Sequence, residues 1–140
     1  MMVDIEDLLL KPYWIVDILP KQVPAKSGGQ YFTIEKYFLS SPHVDAIYRK
    51  FVNVLLKLNC YLDIMVFQVE DESWTENPAP EGLEQMVLKR RPLFVVLKQS
   101  SSMISITGED HNMTVYGPND ETLALISAIA STEGLHVWKP

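Results

Sequence analysis

Two carboxylates interrupt apolar segments that are predicted to be strands. Asp17 lies near the end of the segment 13–19, and Asp63 lies near the start of the segment 61–69. A carboxylate on a buried sheet face needs a partner or has a raised pKa, and such perturbed groups are frequent at functional sites. If the two strands are neighbours, Asp17 and Asp63 share a site with Glu35. The simpler alternative is that both carboxylates point to solvent at the strand ends.

The segment 20–30 is a second feature that could serve chemistry. It is rich in proline and glycine, which predicts a loop about twice as long as the usual connection. Long ordered loops often carry function, although plain connectors are commoner. One hypothesis is therefore an enzyme or a small-ligand-binding protein in which this loop is a lid near Asp17 and Glu35. Lys21 and Lys26 would then be further polar groups around the pocket.

The histidines and the single cysteine do not predict a metal site. His43, His111, His136 and Cys60 are too far apart in sequence for the short ligand spacing of a zinc site. The chain also has neither the glycine spacing of a phosphate-binding loop nor a strained nucleophile elbow around any serine. We therefore expect no metal and no cofactor, and the sequence assigns no catalytic residue.

Trp74 lies in the acidic segment 70–78, which is predicted to be a loop. Large aromatic side chains are favoured anchors in protein interfaces, although Trp74 could equally fold back over the core. Together with Tyr13 and Tyr31, it offers exposed aromatic surface on an acidic chain. The hypothesis that the sequence favours is a non-enzymatic interaction module, which binds a basic protein partner or forms a homo-oligomer.

Composition and charge argue against several classes of protein. The chain has 140 residues, the usual size of one domain, and we treat 1–140 as a single domain. Its 12 Lys and Arg against 18 Asp and Glu give a net charge of −6, which disfavours nucleic-acid binding. No window approaches the ~18 apolar residues of a membrane span, and the acidic amino terminus is unlike a secretory signal. We therefore expect a cytoplasmic protein with no membrane and no nucleic-acid partner.

Two segments have the apolar stripe of an amphipathic helix. In 42–58 and in 119–133, apolar residues follow one another at steps of three and four. Ser41 and Pro42 predict a serine cap followed by proline at the first helical position. Shorter helices are predicted for 3–10 and 80–89.

The segment 31–39 fits both a helix and a strand. Aromatic and aliphatic residues recur at a spacing that suits either structure, and a short apolar run is not settled by its period alone. We prefer the helix weakly, because Glu35 and Lys36 interrupt the alternation of a strand.

The last third of the chain predicts a meander. The strands 93–98, 103–107 and 113–116 are joined by short links, which force antiparallel pairing. Apolar and polar residues alternate in the last two of these strands, so we expect one apolar face and one face in contact with water.

The sum of these elements is an α+β fold. We predict a two-layer sandwich with a mainly antiparallel sheet of about six strands and three or four helices, mostly on one face. This architecture requires that the apolar stripes of 42–58 and 119–133 pack against the same face of the sheet.

Overall fold

Seven strands form one antiparallel sheet in the order β3-β2-β4-β5-β6-β1-β7. The structure is a computed structural model and describes residues 4–140. The strands are β1 (Tyr13–Asp17), β2 (Ile64–Gln68), β3 (Ser73–Glu76), β4 (Leu93–Leu97), β5 (Ser102–Ile106), β6 (Met113–Tyr116) and β7 (His136–Trp138). The helices are α1 (Ile5–Leu9), α2 (Tyr31–Phe38), α3 (His43–Asn59), α4 (Pro80–Leu88) and α5 (Asp120–Thr132), and a single 3-10 turn covers Lys98–Ser100. The predicted α+β class is confirmed.

The helices α3, α4 and α5 cover one face of the sheet. The apolar side of α3 includes the fully buried Tyr48 and Phe51, which share a core with Leu83 of α4, Ile126 of α5 and Val115 of β6. Burial of this apolar surface is the main favourable contribution to folding. The two long helices therefore pack on the same face, as the sequence predicts.

Polar contacts also join α3 to the end of α5. The Nζ atom of Lys57 lies 2.7 Å from the Oε2 atom of Glu133. The Nδ2 atom of Asn53 donates a hydrogen bond of 2.9 Å to the Oε1 atom of the same carboxylate. Lys57 and Asn53 lie one turn apart on α3, so both oxygens of Glu133 are held by a single helix.

The opposite face of the meander is not fully exposed to water, and the prediction of a wet face is wrong for β5. Every residue of β5 is buried. Leu8 of α1 packs against Val96 and Met103 on this face, so the short amino-terminal helix covers its centre. Asp4 caps α1 by accepting a hydrogen bond from the N–H of Asp7. Val3, which the sequence analysis includes in this helix, lies outside the described residues.

The acidic segment 70–78 contains a strand where the sequence predicts only a loop. The N–H of Glu72 donates to the carbonyl oxygen of Val69 at 3.2 Å, which closes a tight turn. β3 then pairs with β2, with Trp74 opposite Phe67. The strand has four residues and lies at the edge of the sheet, so its sequence carries little of the alternation that identifies a longer strand.

The segment 31–39 is resolved as a helix, and the start of α3 differs from its prediction. α2 covers Tyr31–Phe38. α3 begins at His43 with Pro42 at the capping position and no side-chain cap, so Ser41 does not cap this helix. Instead, the N–H of Val44 donates to the carbonyl oxygen of Ser40 at 3.1 Å, and this backbone bond satisfies a donor of the first turn.

Candidate functional site

A cavity of about 850 Å³ lies at one end of the sheet, where β1 finishes. Its walls come from the end of β1, the loop 18–30, α2, the first half of α3, and the turn between β5 and β6. Most of the lining surface is apolar, and a small number of charged and polar side chains interrupt it. This combination is typical of sites that bind small molecules.

The pairing of β1 brings distant segments to the cavity. Val16 lies opposite Met113 of β6, and Asp17 lies opposite His136 of β7. Because β1 and β6 are antiparallel, the residue after Val16 emerges beside the residues that precede Met113. Asp17 therefore reaches the same wall as His111, which comes from the turn before β6.

The helix α2 forms the outer wall of the cavity. Tyr31, Ile34, Glu35 and Phe38 line the cavity, and their spacing of three and four residues places them on one face of a helix. Within α2, all of which the structure describes, no side chain is buried, and Ile34 and Phe38 are 48% and 41% exposed. The apolar face of α2 thus borders open space rather than packing into the core.

The loop 18–30 covers the end of β1. Val23 and Ser27 of this loop line the cavity. The N–H of Ser27 donates to the carbonyl oxygen of Pro24 at 3.0 Å, and the N–H of Gly29 donates to the Oγ atom of Ser27 at 3.3 Å. These local bonds give the loop a defined turn at the residues that line the cavity.

The helix α3 supplies the floor. His43, Ala46, Ile47 and Lys50 line the cavity, again at a helical spacing that places them on one face. The ring of His43 stacks on the ring of Tyr37 from α2, with centroids 4.1 Å apart. Because Ala46 has a small side chain, the centre of this floor is open.

Asp17 and Glu35 are the charged groups that the sequence singles out and that the structure brings together. The Oδ1 atom of Asp17 accepts a hydrogen bond of 2.7 Å from the N–H of Ile18. Burial raises the pKa of Asp17 above 3.8 and the negative charge of Glu35 adds to this, whereas the bond from Ile18 and the proximity of His136 oppose it. None of the ion pairs found among residues 4–140 includes Asp17 or Glu35.

Tyr31 holds the carboxylate of Glu35. Its hydroxyl donates a hydrogen bond to the Oε2 atom of Glu35, one turn further along α2. This bond is the main reason why the pKa of Tyr31 is raised to about 12, and desolvation and the charges of Glu35 and Asp17 add to it. Tyr31 is therefore a neutral donor at physiological pH, and it fixes the orientation of Glu35 at the cavity wall.

His111 is oriented by a buried tyrosine. The hydroxyl of Tyr48 and the Nδ1 atom of His111 form a hydrogen bond of 2.9 Å. Burial of Tyr48 and the charge of Asp110 raise its pKa to about 12, so its hydroxyl is neutral. With Nδ1 engaged, Nε2 is the nitrogen of His111 that stays available to other partners.

The remaining residues that the sequence proposed for a site lie elsewhere. Lys21 and Lys26 are exposed and are not part of the cavity lining. Asp63 does not share a site with Asp17, because three strands separate β2 from β1. Asp63 is exposed and accepts hydrogen bonds from Asn77 and Gln99 instead.

Trp74 is also distant from the cavity. It lies on β3, the strand at one edge of the sheet, whereas β1 and β7 are the last two strands toward the other edge. Its ring packs against Phe67 with centroids 4.8 Å apart, and the residue is 40% exposed. Trp74 therefore neither closes over the core nor contributes to the cavity.

His43, Lys50 and His111 are among the lining residues that the sequence did not indicate as parts of a pocket. His43 and Lys50 share one face of α3 with Ile47, and this spacing is visible in the sequence. His111 reaches the cavity only through the pairing of β1 with β6, which joins segments about a hundred residues apart. The helical spacing could have grouped the first two residues, whereas no local signal identifies the third.

The polar groups of the lining are suited to contacts with a bound ligand. Residues 4–140 contain no group of three or more His, Cys, Asp and Glu side chains that could hold a metal ion. Ser27 is the serine of the lining, and its Oγ accepts from Gly29 rather than contacting a histidine. The groups that remain can accept or donate hydrogen bonds to a ligand and can balance its charge.

Comparisons with known proteins add no assignment. Family models, curated proteins and solved structures gave no match to this chain. Within residues 4–140, no helix is both long enough and apolar enough to cross a membrane.

Proposed function

We propose that this protein binds a small amphipathic molecule in the cavity at the end of β1. The observation that carries the proposal is the cavity itself, whose volume of about 850 Å³ lies within the range of roughly 300–1,000 Å³ found for ligand sites. Apolar walls with a few convergent polar groups provide affinity through burial and orientation through hydrogen bonds. The lid hypothesis from the sequence thus has a specific structural basis.

The lid and α2 are the parts of the molecule best suited to open for a ligand. Lys21 and Lys26 in the loop are exposed, and no residue of α2 is buried. Segments that bury few side chains open at low free-energy cost, and binding lids are drawn from such segments. A ligand that fills the cavity would bury the exposed parts of Ile34 and Phe38 and so hold the lid closed.

A neutral apolar dye tests the proposal without knowledge of the natural ligand. Nile red should bind the wild-type protein with increased fluorescence. Ala46→Trp places an indole in the open centre of the floor, and we expect it to weaken dye binding at least about tenfold. The matched control is Ala124→Trp, at an exposed position of α5 outside the lining, which should bind the dye like the wild type.

Either of two outcomes would overturn the proposal. If Ala46→Trp has the circular dichroism spectrum and unfolding midpoint of the control and still binds Nile red with unchanged affinity, the dye does not occupy the cavity. Absence of any dye binding by the folded wild-type protein would also contradict the proposal.

Contact with a basic protein partner is a second candidate, supported by the edge strand β3. Trp74 is 40% exposed on this strand, and Glu70, Asp71, Glu72 and Glu76 surround it in sequence. An edge strand offers backbone groups for pairing, but like charges at this edge disfavour a second copy of the same chain. A basic partner is therefore the better complement.

Binding of a lysine-rich peptide tests this second candidate. The association rate should fall steeply as the salt concentration rises, and Trp74→Ala should weaken binding several-fold. A rate that does not respond to salt, or a Trp74→Ala variant that binds with wild-type affinity, would contradict it. Sedimentation at micromolar concentration tests self-association separately.

A further inference from the structure

The polar part of the cavity lining carries an excess of negative charge. The lining includes the three carboxylates of Asp17, Glu35 and Asp110, and its basic side chains are Lys50 and the histidines His43 and His111. The positive charge of Lys50 also acts on Glu133, whose pKa is lowered mainly by Lys57 and Asn53 and additionally by Lys50. Lys50 therefore lies within interaction distance of a carboxylate outside the cavity as well.

Asp17 and Glu35 are close enough for their charges to interact, and of the two only Asp17 has a nearby cationic group among the described residues, the ring of His136 on the neighbouring strand β7. The charge of Glu35 acts on Asp17, and neither residue belongs to an ion pair within the described part of the chain. Asp17 is half-buried and accepts one backbone hydrogen bond, from Ile18. Two carboxylates in a mostly apolar cavity cost free energy unless a positive charge compensates them.

We infer that the ligand carries a protonated amine, which lies between Asp17 and Glu35 while its apolar part contacts Ile34, Phe38 and Ile47. This inference rests on the proposed function, because it names the ligand class of the same cavity. An ammonium group donates three hydrogen bonds. The Tyr31 hydroxyl already occupies Oε2 of Glu35, which leaves Oε1 of Glu35 and Oδ2 of Asp17 as acceptors.

The geometry favours an organic cation over the other two classes of charged ligand. A metal ion needs a compact set of ligands, and residues 4–140 contain no group of three or more suitable side chains. An anion would have to lie near the three carboxylates of Asp17, Glu35 and Asp110, which outnumber the one lysine of the lining. An amine on an apolar chain satisfies both the carboxylates and the apolar walls.

Three probes with apolar chains of nearly equal length separate these possibilities. Octylamine is protonated near neutral pH, since its ordinary pKa resembles that of lysine, whereas octanol is neutral and octanoate is anionic. Each is tested for displacement of Nile red below the concentration at which it forms micelles. We expect octylamine to displace the dye at a concentration at least about tenfold lower than octanol, and octanoate to be the weakest.

Paired variants assign the preference to the two carboxylates. Asp17→Asn combined with Glu35→Gln should reduce the preference for octylamine over octanol to about twofold or less, while octanol still displaces the dye. The matched control combines Asp71→Asn with Glu81→Gln, which removes the same charge from exposed positions outside the lining. This control should keep the preference of the wild type.

The results distinguish failure of this inference from failure of the proposed function. If octylamine and octanol displace the dye equally well, the inference that the ligand carries an amine is wrong, but the cavity remains a binding site. A preference that survives in the cavity variant also overturns it, because the two carboxylates are then not its source. A preference that disappears equally in the control overturns it as well, because it would then come from net charge. If no probe displaces the dye and the dye does not bind, the proposed function fails as well.

Discussion

The hydroxyl of Tyr48 lies 2.9 Å from the Nδ1 atom of His111, although Tyr48 belongs to the buried side of α3 and His111 belongs to the turn before β6. The hydrogen bond joins the core of the protein to the wall of the cavity. A side chain that lines a binding site is held most precisely when its partner is itself locked by packing. Tyr48 is fully buried and meets this condition.

Tyr48→Phe should separate the hydrogen bond from the packing of the ring. The change removes only the hydroxyl, so we expect the free energy of unfolding to fall by about 1 kcal/mol and Nile red to bind a few-fold more weakly. Urea unfolding and dye titration measure the two effects. Tyr61→Phe is the control, since Tyr61 is 68% exposed, and it should change stability by less than about 0.5 kcal/mol.

Asp17→Asn should stabilise the ligand-free protein at neutral pH while weakening the binding of an amine. The folded state raises the pKa of Asp17 above 3.8, first by burial and then by Glu35. Ionisation of Asp17 therefore disfavours folding at pH values above its raised pKa, and asparagine avoids that cost. Because Asp17 is partly exposed, the gain should be less than about 1 kcal/mol.

The pH dependence of this gain in stability tests whether the negative charge of Asp17 is its cause. His136 faces Asp17 from β7, and Glu35 and Tyr31 face it from α2. The difference in unfolding free energy between Asp17→Asn and wild type should vanish as the pH falls below the ordinary value of 3.8, where Asp17 is protonated in both states. A variant that is less stable than wild type at neutral pH would contradict an uncompensated carboxylate.

Much of the fold could be predicted from periodicity in the sequence. The apolar stripes of α3 and α5 and the alternation in the meander each express contacts within one element or between consecutive strands. Such local patterns predict the structure correctly because one face of each element must be buried. The helix α2 is harder to predict, because its short apolar run fits the period of both a helix and a strand.

The features that sequence could not predict depend on contacts between distant segments. The coverage of Met103 by Leu8 of α1 joins the first helix to the fifth strand, and no periodicity reveals it. β3 was missed because it is a short edge strand in an acidic segment.

The sequence indicates a residue of the candidate site where a charged side chain interrupts an apolar segment. Asp17 and Asp63 both interrupt apolar segments, but of these two only Asp17 lines the cavity, where Glu35 joins it. Lys21 and Lys26 were grouped with them only because they share the loop. The direction of a loop side chain depends on turn geometry that composition does not determine.

Glu133→Gln tests the packing of α5 against α3. Hydrogen bonds from Lys57 and then from Asn53 lower the pKa of Glu133 below 4.5, so its ionised form stabilises the folded state. We expect the variant to lose between about 0.5 and 1 kcal/mol at neutral pH. This loss should disappear as the pH falls through the lowered pKa, because the wild-type carboxylate is then protonated. Chemical unfolding at neutral and acid pH checks both statements, and an equal loss at the two pH values would contradict the ion pair.

Gly108→Ala tests the turn that carries His111. Gly108 has a φ of +83°, and a Cβ atom at this position would clash with the carbonyl oxygen of Arg90. We expect a loss of about 2 kcal/mol or more, because the clash involves backbone and the left-handed conformation disfavours alanine. In Gly28→Ala, the added atom meets nothing within 4 Å, so thermal unfolding should leave that control close to wild type. Equal midpoints for the two variants would contradict the observed turn.

Amide NMR spectra recorded during a titration with octylamine test the central claim most directly. Binding in the cavity predicts that the largest shift changes belong to Ile18, Ile34, Ala46 and Asn112, which line the cavity from four different segments. It also predicts that Asp17→Asn combined with Glu35→Gln weakens these changes at a given concentration. Shift changes centred on Trp74 and Phe67 of the sheet edge, with the cavity residues unmoved, would contradict it.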